Sequence, residues 1–364
     1  MEISKKAKKY NKIKFKFKII FILFIFLFYL LFFITNFSAF FADLAKSITS
    51  SYFLALNIYL LIFISLEEII SLPLSFYSEF IVEHKYDHSN ETLGGFFADE
   101  IKSLIIKLIL ISILINIIYA VIKISPQHWW IYATIVSIVI FTLLSFLLPK
   151  IIIPLFFKLT PLDNKSLLKT LNKLCTKSNI KLLGLYSINL SKKTKAGNAA
   201  FVGLGSTKKI ILGDNILDRY TSDEIETIIG HEIAHYLNKD QIKLLIIQSL
   251  FFALTFYLIY IIMTTNLAFF HLENLYDFAG LPIFLIISFF ISLILLPGTT
   301  FLIRSMEFKA DKKALELVPK PEALSSALKK LTKQNLGEFD PHPLKEFIFH
   351  SHPSIKKRVK KIEN

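Results

Sequence analysis

The chain has 364 residues, of which 54% are hydrophobic and only 19% charged. The apolar residues gather into blocks of about 20, the length a helix needs to cross a hydrocarbon core, which excludes a disordered polymer, a collagen-like chain and an ordinary soluble enzyme. The formal net charge of +14 comes almost wholly from lysine, since arginine occurs only at Arg219, Arg304 and Arg358. With no clustered arginine on a groove-reading element, nucleic acid is not an expected partner. A lysine- and isoleucine-rich composition is also what an AT-rich coding sequence produces.

The first segment carries Lys5, Lys6, Lys8, Lys9, Lys12, Lys14, Lys16 and Lys18, and an apolar run follows at residues 19–37. The run is too long for a signal-peptide core and lacks a small-residue cleavage site, so it reads as an uncleaved anchor. Five further spans are predicted at residues 52–74, 104–124, 129–148, 244–263 and 281–303. Lysines are sparse or absent in the connections 38–51, 125–128 and 264–280, and abundant in 158–243 and after Arg304. Six spans with both termini in the cytosol of a bacterial cytoplasmic membrane satisfy that bias. The expected division is therefore 1–157 with four spans, a cytosolic segment 158–243, two spans in 244–303, and a second cytosolic segment 304–364. The helix pair would clamp both cytosolic segments into one discontinuous domain.

Within the spans, Trp129 and Trp130 read as an interfacial aromatic belt. Glu67 and Glu68 fall inside the second span. Either they face a hydrated cavity between helices, or the helix ends a turn earlier than its hydropathy suggests. Cys175 stands alone, so it forms no internal disulfide and reads as a small buried hydrophobe.

The chemistry-bearing stretch runs from Thr221 to Leu237. Thr221 and Glu224 have capping-box spacing, and Ile225, Ile228, Ile229, Ile233 and Leu237 recur at helical spacing. On that helix His231 and His235 lie one turn apart on one face, as two imidazoles must to grip one zinc ion. Glu232, about 100° further round, can act on a water without being a ligand. This is the H-E-x-x-H pattern of zinc hydrolases. A catalytic zinc needs a third protein ligand. Glu307 and Asp311 share a helix face after the sixth predicted span, so Glu307 could be that ligand and Asp311 could fix a histidine tautomer. The spacing fits a solvated acidic face beside Lys309 and Lys312 equally well. Residues 199–204 and 209–212 read as a hairpin around Gly205, Ser206 and Thr207. Its edge could take an extended peptide as an added strand, with Asn198 near a substrate carbonyl and small Ala199 allowing close approach. His84 and His88 share i, i+4 spacing but have no glutamate in the motif position and sit in a loop-like context, so no second zinc is expected there.

The HEIAH and RSMEFKAD segments together resemble the membrane-embedded zinc metallopeptidases that include the CAAX prenyl proteases and the HtpX-like proteases. The resemblance implies that Glu307 is the third zinc ligand. The segment from Gly197 to Gly205 resembles the family's N-A strand, and Ser351-His352-Pro353 followed by Arg358 resembles its C-terminal H-P-x-x-x-x-R element. On that basis His352 would donate to the oxyanion, and Arg358 would hold a substrate carboxylate or support His352. The stretch from Glu79 to Asp87, with Asn90, Thr92, Phe96 and Asp99, is similar to the CAAX branch, whose members usually have seven spans.

The expected architecture is thus an all-α polytopic membrane protein of about six transmembrane helices. It carries a discontinuous cytosolic zincin-like α+β catalytic domain with a small edge-strand sheet. The expected function is a zinc metalloendopeptidase with one Zn2+ per chain, acting on a peptide or protein, possibly prenylated, beside the lipid bilayer. A quality-control protease of membrane proteins and a non-catalytic zinc-stabilised scaffold are the alternatives.

Overall fold

The structure, a computed structural model, describes residues 5–178, 180, 184–203 and 208–364. Helix α1 (Lys5–Ile34) contains no proline or glycine, so the lysine-bearing segment and the apolar run form one rod. The short α2 (Phe37–Ile48) follows a left-handed Asn36 and is tied down by Ser38, whose hydroxyl donates to the Ala279 carbonyl. Helix α3 (Tyr52–Ser75) contains Pro73 and continues through a π turn (Phe76–Ile81) into α4 (Val82–Lys85). Helix α5 (Leu93–Ile124) is followed by α6 (Trp129–Leu147), then a π turn (Leu148–Ile152) around Pro149 and α7 (Ile153–Phe156). A proline lacks the N–H that the α-helical ladder needs, and a wide turn next to it absorbs the misfit.

Between this bundle and the last spans lie β1 (Leu159–Pro161), α8 (Lys165–Lys177), β2 (Gly184–Ile188), β3 (Ala199–Val202), β4 (Lys209–Gly213), α9 (Asp214–Leu217) and α10 (Ser222–Leu237). Helices α11 (Asp240–Thr265) and α12 (Leu281–Leu317) follow, then α13 (Pro321–Gln334), α14 (Pro343–Phe349) and α15 (Ile355–Glu363). Six helices among the described residues are long and apolar enough to cross a membrane; five predicted spans fall within them, and the first, at 19–37, ends with its helix at Ile34. Helix α12 has 37 residues and is therefore about 55 Å long, so one rod carries both the sixth span and the 304–311 segment.

The sheet has the order β1-β2-β4-β3, with β2 and β4 parallel and the other pairs antiparallel. The predicted hairpin is β3 and β4, with Ala199 opposite Leu212 and Phe201 opposite Ile210. Its expected turn, together with Leu204, lies outside the described residues. Strand β3 is one edge of the sheet and β1 the other. Leu171, Ile210, Leu212, Ile216 and Ile229 are fully buried beneath the sheet, with Cys175 beside them. Helix α10 packs on both α12 and α13, so segments on either side of α11 and α12 share one core.

One expectation about the spans is corrected, and one of two alternatives is excluded. Trp129 is fully buried and packs on Phe256 and Phe284, so it fills the bundle core and is not part of an interfacial belt. Glu67 and Glu68 lie well inside α3, which rules out an earlier helix end; Lys107 of α5 reaches Glu68 at 2.9 Å and Glu67 at 3.6 Å. Farther along the same two helices, Asn57 and Asn116 exchange amide hydrogen bonds.

Candidate metal centre

Helix α10 starts with the full capping box, in which the Thr221 hydroxyl accepts from Glu224 N–H and the Glu224 carboxylate accepts from Thr221 N–H. Gly230 lets α10 lie close on α12, since a Cβ there would come within 3.1 Å of Val318 Cγ2. The next residue is His231. The His231 and His235 Nε2 atoms are 3.1 Å apart. Glu307, 3% exposed, reaches in from α12 with Oε2 at 3.5 Å from His231 Nε2 and Oε1 at 3.4 Å from His235 Nε2.

Each imidazole has a carboxylate behind it. His231 Nδ1 is 3.0 Å from Asp311 Oδ1, and His235 Nδ1 is 2.9 Å from Asp240 Oδ2. His235 Nδ1 is hydrogen-bonded to Asp240, which turns its Nε2 inward, and Asp311 lies within ion-pair distance of His231 Nδ1 without a well-aligned hydrogen bond; carboxylates in these positions are those that back metal-binding histidines. Burial pushes the His231 imidazole down, but the Asp311 and Glu307 carboxylates outweigh it and hold its proton to about 9. Burial also opposes the charge on His235, and Glu307 again reverses the balance, so its pKa is raised.

The donor set fits a tetrahedral zinc. Ligand atoms at 2.0–2.1 Å from such an ion stand about 3.3 Å apart, and two imidazole nitrogens with one carboxylate are a known catalytic set. The observed separations of 3.1, 3.4 and 3.5 Å straddle that value. In addition, Glu307 Oε2 is buried without a hydrogen bond. With only the Arg358 ion pair at 3.1 Å on that oxygen and two imidazole nitrogens facing one another beside it, the cluster is a favourable place for a cation.

Glu232 lies next to this cluster and is hydrogen-bonded by the Phe201 backbone N–H of β3. Burial pushes its carboxyl up, against the pull of His231 and His235. Ala199, two residues before Phe201, has its backbone on the same free edge, because strand N–H groups alternate in direction. Asn198 is exposed just before the strand, and its carbonyl accepts from Gly213 N–H. His352 Nδ1 is 3.0 Å from Glu307 Oε1 with the side chain 65% exposed, so it borders the cluster from the open side.

Arg358 requires a correction. It is 5% exposed, and its Nε and Nη2 donate to Asp311 at 2.8 and 2.6 Å, with Nη1 3.1 Å from Glu307 Oε2. A buried guanidinium engaged with two carboxylates is not free to bind a substrate carboxylate. It positions Asp311 and Glu307. Three contributors escaped the sequence reading. Asp240, which backs His235, opens the next helix, and an acid there looks like an ordinary first-turn residue. Arg304 donates to the carbonyls of Glu346, Phe347 and His350, and Glu346 accepts from Ser354 N–H at 3.1 Å, so the His352 loop is held at both ends. His84 and His88 do not converge: His88 Nδ1 pairs with Glu83 at 2.8 Å, and the His84 ring lies against the carbonyls of Phe80 and Glu91.

A helical bundle that carries a His/His/Glu donor set on its membrane-proximal side is the build of a membrane-embedded metallopeptidase. Residues 161–364 match the model of peptidase family M48, and residues 2–158 match that of the CAAX prenyl protease N-terminal region with five membrane helices. The chain belongs to peptidase family M48, and it is a multi-pass integral membrane protein. Within 2–158, four of the described helices are long enough to cross, and α2 is too short. The chain is 31% identical to the uncharacterized metalloprotease YhfN of Bacillus subtilis over 81% of its own length and 70% of the relative's. It is 29% identical to the probable CAAX prenyl protease 1 of Schizosaccharomyces pombe over 81% of its length and 63% of that protein. The fold is shared with S. mikatae Ste24p, with a TM-score of 0.90 at 24% identity over 99% of this chain and 88% of that one.

Proposed function

We propose that the protein is a zinc metalloendopeptidase that processes CAAX-type C termini, often prenylated, with His231, His235 and Glu307 as the ligands and Glu232 as the general base. The observation that carries this reading is the approach of the three donor atoms to within 3.1–3.5 Å of one another, with Glu232 beside them. When bound, zinc supplies Lewis acidity toward a water and a carbonyl oxygen. The chain's own residues do the rest. Asp311 and Asp240 hold the two imidazoles in one tautomer. The free edge of β3 pairs with an extended peptide backbone and lays it across Glu232, with Ala199 leaving room and Asn198 at the strand entrance. The Glu232 carboxylate takes the proton of the attacking water and returns it to the leaving amine, which its burial-raised pKa favours. His352 reaches over Glu307 from the open side and can donate to the oxyanion.

The names of the relatives favour CAAX processing over general clearance of membrane proteins. Segments 158–243 and 304–364 would form one catalytic domain facing the cytosol, as the lysine distribution suggests, in a bacterial cytoplasmic membrane. Glu232→Ala should leave bound zinc at one per chain and lower kcat by about 10²- to 10⁴-fold, measured on a farnesylated CAAX peptide. Zinc binding with no cleavage by the wild type would favour a scaffold. Preferential cleavage of an unstructured membrane-protein fragment would favour the quality-control role. Reporter fusions in 158–243 and after Arg304 that fell on opposite membrane sides would break the joint domain.

A further inference from the structure

Helix α14 lies where two spans change from uncharged to charged. Helix α1 carries no charge from Ile19 to Ile34, so Lys18 is its last charge before the bilayer; α12 carries none from Leu281 to Ile303, so Arg304 is its first after it. Helix α14 touches both. Lys18 Nζ is 5.0 Å from the centre of the Phe349 ring, and Arg304 is 5.9 Å from the centre of the Phe347 ring while donating to the Phe347 carbonyl at 3.2 Å. That level is the headgroup layer. Helix α14 nevertheless leaves Leu344 59% and Phe347 50% exposed, three residues apart on one face. An apolar face in that position is how a helix lies in the plane of a membrane surface.

A cavity of about 470 Å³ opens between α1 and α14. Phe21, Ile22 and Ile25 line its apolar end, within the uncharged run of α1, and Lys18 and Lys345 line its polar end. The polar end also holds Lys14, Glu79 and Glu338, but these are matched: Lys14 pairs with Glu79 and Glu83, and Lys345 with Glu338. Lys18 has no carboxylate partner among the described residues and rests only on Phe349. A site with hydrocarbon at one end, an unmatched ammonium at the other and a place in the headgroup layer complements an anionic phospholipid.

We infer that this cavity binds one anionic phospholipid of the surrounding leaflet, and that the lipid holds α14 and thereby the loop bearing His352. The link is short. Arg304 ties the carbonyls of Glu346, Phe347 and His350 to α12, Glu346 ties Ser354, and His352 lies between them at 3.0 Å from Glu307. Only the effect on catalysis rests on the peptidase reading.

The binding test uses the purified full-length protein titrated with phosphatidylglycerol or phosphatidylcholine, with retained lipid counted by native mass spectrometry. The wild type should keep one phosphatidylglycerol about fivefold more strongly than phosphatidylcholine, the margin expected of one lysine at a membrane surface. Lys18→Gln should lose that preference, and Lys18→Arg should keep it. Millimolar glycerol phosphate, which has the headgroup charge without the chains, should not bind in its place. Equal retention of the two lipids, an undiminished preference in Lys18→Gln, or binding of glycerol phosphate as strong as that of the lipid would each overturn the site. In nanodiscs, phosphatidylglycerol should raise the kcat of the wild type and of Lys18→Arg, but not that of Lys18→Gln, at unchanged zinc content. A kcat indifferent to the lipid would overturn the positioning role. A protein that cleaves no peptide in any membrane would refute the peptidase reading, and lipid retention would still judge the cavity.

Discussion

The bundle and the metal centre each place two carboxylates against one basic side chain, with opposite consequences. In the bundle, Glu67 and Glu68 share Lys107, and the three side chains are 15%, 21% and 32% exposed. At the metal centre, Glu307 and Asp311 share Arg358, at 4–6% exposure, with two imidazole nitrogens facing each other beside them. The first cluster is the more open of the two, with its ammonium shared between both carboxylates. In the second, burial gathers the carboxylates and the facing imidazole nitrogens in one place, where either a proton on the imidazoles or a bound cation offsets the negative charge. Similar side chains therefore make a helix-to-helix tie in one place and a metal site in the other, and the degree of burial decides between them.

The largest expected difference follows from Glu307. Glu307→Gln should abolish zinc retention after dialysis, whereas Glu67→Gln should retain one zinc per chain; metal analysis of both proteins decides. A zinc-loaded Glu307→Gln would dissolve the distinction between the clusters. Removing the shared cation comes next. Arg358→Ala leaves two buried carboxylates unmatched and should cost about 3–5 kcal/mol, read as a large drop in the thermal midpoint of the metal-free protein. The effect on the shell behind the histidines is smaller. Asp240→Asn frees the His235 ring and should weaken zinc binding about 10- to 100-fold in a chelator competition, with little change in thermal midpoint. An unchanged zinc affinity would show that the His235 orientation is set by packing alone. The smallest effect on the metal is at the bundle tie, where Lys107→Met should leave zinc content untouched, read by metal analysis.

The six spans, the capped H-E-x-x-H helix and the β3–β4 hairpin were legible from the sequence because each is written in local periodicity. Apolar runs of spanning length, an i, i+4 histidine pair and a Thr-x-x-Glu box need no distant partner to be recognised. Strands β1 and β2 were not, since a three-residue strand and a half-buried five-residue strand carry no alternation to read. Trp129 was misread because hydropathy locates a residue along the membrane normal but says nothing about which way a helix face turns. Asp240 was missed for a related reason. A carboxylate at a helix start is ordinary locally, and only the left-handed Lys239 joint between α10 and α11 swings it back behind His235.

Arg358 marks the boundary between what the two sources determine. Its place beside a His-Pro element suggested a substrate ligand, but packing α15 on α12 and α13 buries the guanidinium against Asp311 and Glu307. By itself the sequence determined that the chain has about six membrane spans and that two imidazoles share one helix face with a carboxylate about 100° further round, because those properties depend on side-chain chemistry and helical period. Only the tertiary structure decided which distant carboxylate meets the imidazoles, which carboxylates stand behind them and which charges are left unmatched. Most of those outcomes depend on the desolvation and pairing of groups far apart in sequence, His231 with Glu307 and Asp311 and Arg358 with both, and the nearby Asp240 needs the turn of the chain at Lys239, which no local pattern encodes.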